Sequence, residues 1–213
     1  MAGEVGVEPT PTVLETGILP LYYSPKAFLW YYKLNKKAIF ETMKLELLNE
    51  KHLKSIQDYK DEMIKTGSSF DGCGGLEKFD DIYVWYKQQK DHEDPNKCPQ
   101  GHAPDWKYLC VDGDEVIGFL SYRHPIEGIP ILEEYGGHVG YSVKPSRRKQ
   151  GVASWQLSEL IKIIKEEGEL RRIMITCDPD NIGSKKTIMN NGGVYQDTHI
   201  WENTKVERYW ITI

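Results

Sequence analysis

"YSVKPSRRKQGVASWQLSEL", residues 141–160, decides how the rest of the chain is read. A strand-like segment stops at Pro145, polar and cationic residues follow, and Gly151 leads straight into a helical pattern. Ala153, Leu157, Leu160, Ile161 and Ile164 carry that pattern. The amides of Lys149, Gln150, Gly151, Ala153 and Ser154 therefore fall at or just before a helix N-terminus. N–H groups there lack intrahelical partners and sit at the positive end of the dipole, so they suit an anion. A phosphate or pyrophosphate is the natural guest. Gly151 permits close backbone approach, Ala153 does not obstruct it, and Arg147, Arg148 and Lys149 add local charge. The same residues allow a second reading, in which Gly151 only shapes a strand-to-helix turn with a solvated basic rim. Neither G-x-x-x-x-G-K-[ST] nor G-x-G-x-x-G is present, which excludes the two commonest nucleotide loops.

Working outward, "HVGYSVKP" before the turn reads as a strand. "RIMITC" beyond the helix is a continuous apolar run, the mark of a strand buried on both faces. Strand, helix and strand within about forty residues make a βαβ unit, so these two strands should be parallel. A short helix led by Asn181 ends at Gly192-Gly193, and two strands finish the chain. Upstream, "MKLELL" from Met43 alternates like a strand, and Asn49 is a cap for a helix over Glu50–Lys65. A glycine- and serine-rich loop covers Gly67–Gly75. Leu76, Phe79, Ile82, Tyr83 and Tyr86 predict a second helix that fades by Asp91. "DHEDPNKCPQGHAPD" is a long polar loop, and a hairpin turns at Asp112-Gly113. The expected fold class is α/β (α+β): a mixed central sheet of six to seven strands with helices on both faces.

The 213 residues suffice for one ordinary domain, and 39% hydrophobic content fills a core. Lys and Arg number 27 against 32 Asp and Glu, a net charge of −5, so general nucleic-acid binding is not expected. Four cysteines, at 73, 98, 110 and 177, form no C-x-x-C pair. Cys98, His102 and His92 could be imagined around a metal, but zinc spacing is demanding and isolated reduced thiols are the preferred reading. Residues 1–42 differ from the rest, with several prolines, scattered aromatics and no sustained period. Glu4 and Glu8 stand where a signal peptide carries positive charge, and Pro20, Ser24, Pro25 and Lys26 cut the apolar run. These residues are expected to be an extension, or an upstream reading of the start codon, and 43–213 a single functional domain. A cytoplasmic protein without membrane partners is the corresponding expectation.

"VKPSRRKQGVAS" resembles the acetyl-CoA signature R/Q-x-x-G-x-G/A of the GCN5-related N-acetyltransferase (GNAT) superfamily, here Arg148-Lys149-Gln150-Gly151-Val152-Ala153. "ITCDPDNIGSKKTIMNNGG" resembles the second family element, with Asn181, Ser184 and Gly192 in place. The resemblance covers Met43 to Ile213 in element order. It implies acetyl-CoA as co-substrate, no metal, and direct transfer of acetyl to a primary amine of a small-molecule or peptide acceptor. It also implies two parallel strands that splay apart, with the pantetheine lying between them like an extra strand. Ser142 and Val143 would offer backbone to it, Arg148 through Ser154 would hold the pyrophosphate, and Asn181 and Ser184 would touch the pantetheine arm. One departure stands out: Ile188 occupies the place where many relatives carry a tyrosine that protonates the leaving thiolate.

That departure keeps a non-catalytic acyl-CoA-binding or sensor module open as the alternative, and a phosphate-binding interaction domain as a third. For the base, His138 is the candidate. Alternation puts His138, Gly140 and Ser142 on one strand face, and the two small residues would leave room for an acceptor. The competing reading is a structural histidine under the Gly136-Gly137 turn; Asp178 and Asp180 are the runners-up. Ser68–Gly75, Asp91–Asp105 and Pro125–Gly137 are the loops expected to select the acceptor.

Overall fold

The computed structural model describes residues 40–213, so the expectation for an N-terminal extension lies outside the described residues apart from its last few. Thr42–Ile213 form one compact unit. Seven strands make a single sheet: β1 (Met43–Leu47), β2 (Asp105–Asp112), β3 (Glu115–Arg123), β4 (Val139–Val143), β5 (Arg172–Cys177), β6 (Val194–Trp201) and β7 (Thr204–Thr212). Their order is β1-β2-β3-β4-β5-β7-β6. Every neighbouring pair is antiparallel except β4 with β5, as the strand-helix-strand pattern requires. Among the described residues four α-helices cover the sheet: α1 (Leu53–Lys65), α2 (Ile82–Glu93), α3 (Val152–Glu167) and α4 (Ile182–Asn190).

Strand alternation sends residues to two separate cores. On one face, Leu157, Leu160 and Ile164 of α3 pack with Leu120, Ile173, Ile175 and Ile188. On the other, Ile56, Tyr59 and Met63 of α1 and Trp85 of α2 pack with Leu109 and Phe119. Each fully buried aliphatic side chain contributes about 2 kcal/mol by leaving water. Truncating Leu160 to alanine would cost about 2–5 kcal/mol, since the site lies under a whole helix.

Asn49 caps as expected, its side chain accepting the Lys51 amide at 3.0 Å, and a short 3₁₀ turn precedes α1. The second helix corrects the sequence reading, because it starts at Ile82 and not at Leu76. Asp81 takes the Tyr83 amide at 2.7 Å as the N-cap, while Phe79 is extended and Leu76–Lys78 forms a separate 3₁₀ turn. Leu76 and Phe79 still reach the same core, which explains why their spacing imitates a helix. The hairpin also turns one residue later: Asp112 faces Glu115, leaving Gly113 and Asp114 as the turn.

The join between β4 and β5 is minimal. Val139 opposite Ile175 is their one register pair, reinforced by the His138 amide donating to the Met174 carbonyl at 2.8 Å. Beyond it the strands part and a gap opens in the middle of the sheet. Among the described residues no helix is long and apolar enough to cross a membrane.

Candidate active site

At the turn between β4 and α3, Lys149 and Gly151 both have positive φ, +62° and +90°. Gly151 is the N-cap of α3 without a side-chain cap, and intrahelical bonding begins with Trp155 N–H donating to the Gly151 carbonyl at 3.0 Å. The amides of Val152, Ala153 and Ser154 therefore point out of the helix end with no intrahelical acceptor. Ser154, in the first turn of the same helix, adds a buried hydroxyl with no partner. Gln150 closes the turn by donating from Nε2 to the Ser146 carbonyl at 3.1 Å. The basic residues divide their work. Arg147 pairs with Asp112, Arg148 donates from Nε to the Val143 carbonyl at 2.9 Å, and Lys149 is exposed. The turn thus offers mainly backbone amides, with Arg148 and Lys149 exposed at its rim.

The gap has a defined edge on β4. Lys144 N–H donates to the Ile117 carbonyl at 2.9 Å, and Arg123 N–H to the His138 carbonyl at 2.8 Å. Antiparallel alternation then commits the backbone of Gly140 and Ser142 to β3 and turns that of Val139, Tyr141 and Val143 toward the gap. Ser142, expected to offer backbone there, does not: its backbone faces Phe119 of β3, and its hydroxyl donates to the Asp71 carbonyl at 2.6 Å and lies 3.0 Å from the Tyr59 hydroxyl. Val143 does face the gap, although Arg148 occupies its carbonyl. Tyr141 is the residue whose N–H and C=O are left for a guest.

A cleft between splayed parallel strands, ending at an amide-lined helix terminus, fits an extended chain with a phosphorylated end. Residues 75–189, more than half the chain, match the model of the acetyltransferase (GNAT) family. The chain belongs to that family. It is 30% identical over 118 residues to a ribosomal-protein-serine acetyltransferase of Escherichia coli (strain K12); the match covers 53% of this chain and 63% of that relative, less than two thirds of its length. Among solved structures, the fold is similar to RimL, a ribosomal L7/L12 α-N-protein acetyltransferase in complex with coenzyme A, with TM-score 0.61, 21% identity, and coverage of 82% of this chain and 96% of that one. It is also similar to a ribosomal-protein-S5-alanine acetyltransferase from Vibrio fischeri, with TM-score 0.61 and 19% identity over 81% and 94% of the two chains. A microcin C7 self-immunity acetyltransferase in complex with acetyl-CoA and AMP gives TM-score 0.58 at 15% identity, over 80% and 93%.

In this GNAT domain two hydroxyl groups meet between β4 and α4. Asn181 caps α4 by accepting the Ser184 amide at 3.0 Å, which presents Ser184 toward β4. The Tyr141 and Ser184 hydroxyl oxygens stand 2.8 Å apart. Burial pushes the Tyr141 hydroxyl well above its ordinary range, so it keeps its proton. Cys177 lies beside them, and burial, reinforced by Glu207, pushes its thiol up to about 11, which keeps it neutral. Ile188, in the place of the familial tyrosine, is fully buried and packs under Gly193. Tyr141 was missed from the sequence; its signal was the strand alternation itself, which turns positions 139, 141 and 143 toward one edge.

His138 is 3% exposed. Its Nδ1 accepts the Met174 amide at 3.0 Å, and its ring stands edge-on to Trp210. Burial pulls its pKa down to about 4. The imidazole is neutral near pH 7 and clips β4 to β5 with the lone pair a base would need. Nor do Gly140 and Ser142 leave open space beside it. Gly72 packs on Gly140 so closely that a Cβ at 72 would lie 2.5 Å from the Gly140 carbonyl oxygen. Asp178 and Asp180 are exposed beyond the end of β5, where Asp178 takes the Asp180 amide at 2.8 Å. His92 and His102 approach to 6.0 Å between ring centroids, and among the described residues no group of three or more His, Cys, Asp or Glu forms a metal cluster.

Proposed function

We propose that this chain is an acetyl-CoA-dependent N-acetyltransferase whose acceptor is a primary amine of a protein or peptide. The observation that carries this reading is the continuity of the β4–β5 gap with the Gly151 turn. The acceptor class is supported by the protein substrates in the names of the E. coli relative and of two structural neighbours.

The amides at the start of α3 and the Ser154 hydroxyl hold the pyrophosphate. Tyr141 N–H and C=O pair with the pantetheine along the gap, which aligns the thioester with the last joined residues of the two strands. The amine nitrogen gives its lone pair to the thioester carbon, and the carbonyl π pair moves to oxygen. Collapse of that tetrahedral species re-forms the carbonyl and expels the CoA sulfur with the C–S electrons. The nitrogen loses one proton to a carboxylate or water, and the sulfur takes one from the Tyr141–Ser184 pair. General acid and base assistance of this kind is worth about 10²–10⁴-fold.

The non-catalytic acyl-CoA-binding reading is favoured by one observation, the buried Ile188 in the acid's usual place. Thiol release from acetyl-CoA, followed across a panel of peptides and simple amines beside a direct binding measurement, separates the two. Turnover with any amine supports the enzyme; tight acetyl-CoA binding without thiol release from any acceptor establishes the binding module.

A further inference from the structure

On the α1–α2 face of the sheet, three elements meet at one hydroxyl that has no part in the chemistry above. Ser142 follows Tyr141 on β4, is buried, and spends its backbone on β3. Its Oγ lies 3.0 Å from the Tyr59 hydroxyl of α1, 3.2 Å from the Cys73 thiol and 2.6 Å from the Asp71 carbonyl. The carbonyl can only accept, so Ser142 gives it its one proton. The two lone pairs left on that oxygen then take the Tyr59 O–H and the Cys73 S–H, whose other contact, to the same carbonyl, is 3.8 Å long. Burial raises the Tyr59 hydroxyl well above its ordinary range and pushes the Cys73 thiol up to about 12, so both keep their protons. Every bond that the Ser142 hydroxyl can make is filled.

The partners are themselves held. The Tyr59 ring is fully buried, edge-on to Phe119 at 4.9 Å, and Trp85 Nε1 donates to the Cys73 carbonyl at 3.0 Å. Between Asp71 and Cys73 lies Gly72, where a Cβ would stand 2.5 Å from the Gly140 carbonyl oxygen and 3.0 Å from the Tyr141 Cα. The loop therefore rests on the two residues of β4 that follow its join with β5. On the opposite side α3 and α4 pack over the sheet through Leu157, Leu160 and Ile188. An amine attacks a thioester carbon from above or below its plane, and only the α1–α2 side leaves it a way in, past this loop.

We infer that Ser142 is a positioning residue for the acceptor, its hydroxyl setting the height of the 71–73 loop over β4 and so the path of the amine to the thioester carbon. This rests on the acetyltransferase reading and adds to it a residue that acts on one substrate alone. The donor pairs with the Tyr141 backbone and the α3 amides, and the register of β4 is fixed by main-chain bonds to β3, not by the Ser142 side chain. Without the hydroxyl, the Asp71 carbonyl and the Tyr59 hydroxyl lose their partner in buried surroundings, and the loop must shift to reach water.

The test uses the full chain, acetyl-CoA, and a short peptide carrying a free N-terminus and a lysine as the amine. Thiol release gives the peptide KM, and calorimetry gives the acetyl-CoA Kd. Ser142→Ala should raise the peptide KM by about tenfold and leave the acetyl-CoA Kd within about twofold of wild type. Tyr59→Phe keeps the Ser142–Asp71 bond and should raise the peptide KM by a smaller factor, again with the Kd unchanged. If Ser142→Ala does not fold, Tyr59→Phe decides. A peptide KM within about twofold of wild type in the deciding variant overturns the inference, as does an acetyl-CoA Kd weakened as much as the peptide KM, which would mark a general structural role. Absence of thiol release by wild type would instead overturn the transferase reading, and this inference with it.

Discussion

The two sides of the β4–β5 gap are made from different materials. On the α3 side the cleft ends in main-chain amides shaped by two positive φ angles within three residues. On the α1–α2 side the loop after α1, Arg123 of β3 and the turn before β4 meet β4, with the loop and the turn more than sixty positions apart in sequence. A phosphate needs only amides and a helix end, so a short local motif builds its site. Selecting one amine among many needs charges placed by several elements at once. The amide turn is consequently written locally and the opposite side of the gap only in three dimensions.

The sharpest way to break this contrast is at Gly151. A glutamate there must adopt φ near +90° and sets a negative charge against the pyrophosphate. Acetyl-CoA affinity measured by calorimetry should fall by about 100-fold or more, ~2.8 kcal/mol at ~1.4 kcal/mol per tenfold. Retained affinity in a folded Gly151→Glu protein would mean the amides do not hold the donor. Next comes the hydroxyl pair: Tyr141→Phe should lower kcat by about 10- to 100-fold with the acetyl-CoA KM kept, in a stopped thiol-release assay. Unchanged turnover would move the acid elsewhere.

His138 sharpens the comparison from the structural side. Its folded-state pKa of about 4 lies below the ordinary 6.5, so between those values the unfolded chain takes up a proton that the folded one refuses. Stability therefore declines as pH falls from about 6.5 toward 4 and levels off below. His138→Gln should flatten that decline in melting curves recorded across the range, while the acidic limb of the pH–rate profile stays put. Disappearance of that limb would restore His138 as a base. The smallest effect is expected from starting the chain at Met43, which we propose leaves melting temperature and acetyl-CoA affinity unchanged; a large drop in either shows that residues 1–42 are needed.

The legibility of the sequence follows the same division. "RIMITC" and the Gly151 turn announce a parallel pair and a helix start, because burial on both faces and a helix N-terminus leave local marks. Asn181 was legible as a cap for the same reason. Ser142 is expected to offer its backbone to the gap but faces Phe119 of β3 instead, because the direction of a strand's hydrogen bonds depends on register, which only pairing fixes. His138 was read as accessible because its small neighbours suggested space; the loop carrying Gly72 fills it, and nothing near residue 138 in sequence says so. The early start given to the second helix came from Leu76 and Phe79, which reach the core from a 3₁₀ turn and an extended residue.

The single register pair between β4 and β5 also bears on solubility. Past Val139 and Ile175 the sheet contains two unpaired borders in its interior, the kind of template on which chains ordinarily aggregate. Here α3 and α4 cover one side of the slot, and the 71–73 loop presses on β4 from the other. Gly72 thus guards the protein against its own kind: at φ +79°, with the Gly140 carbonyl against it, any larger residue would lift the loop off β4. The cost would appear first as self-association during expression, before any change in turnover was measured.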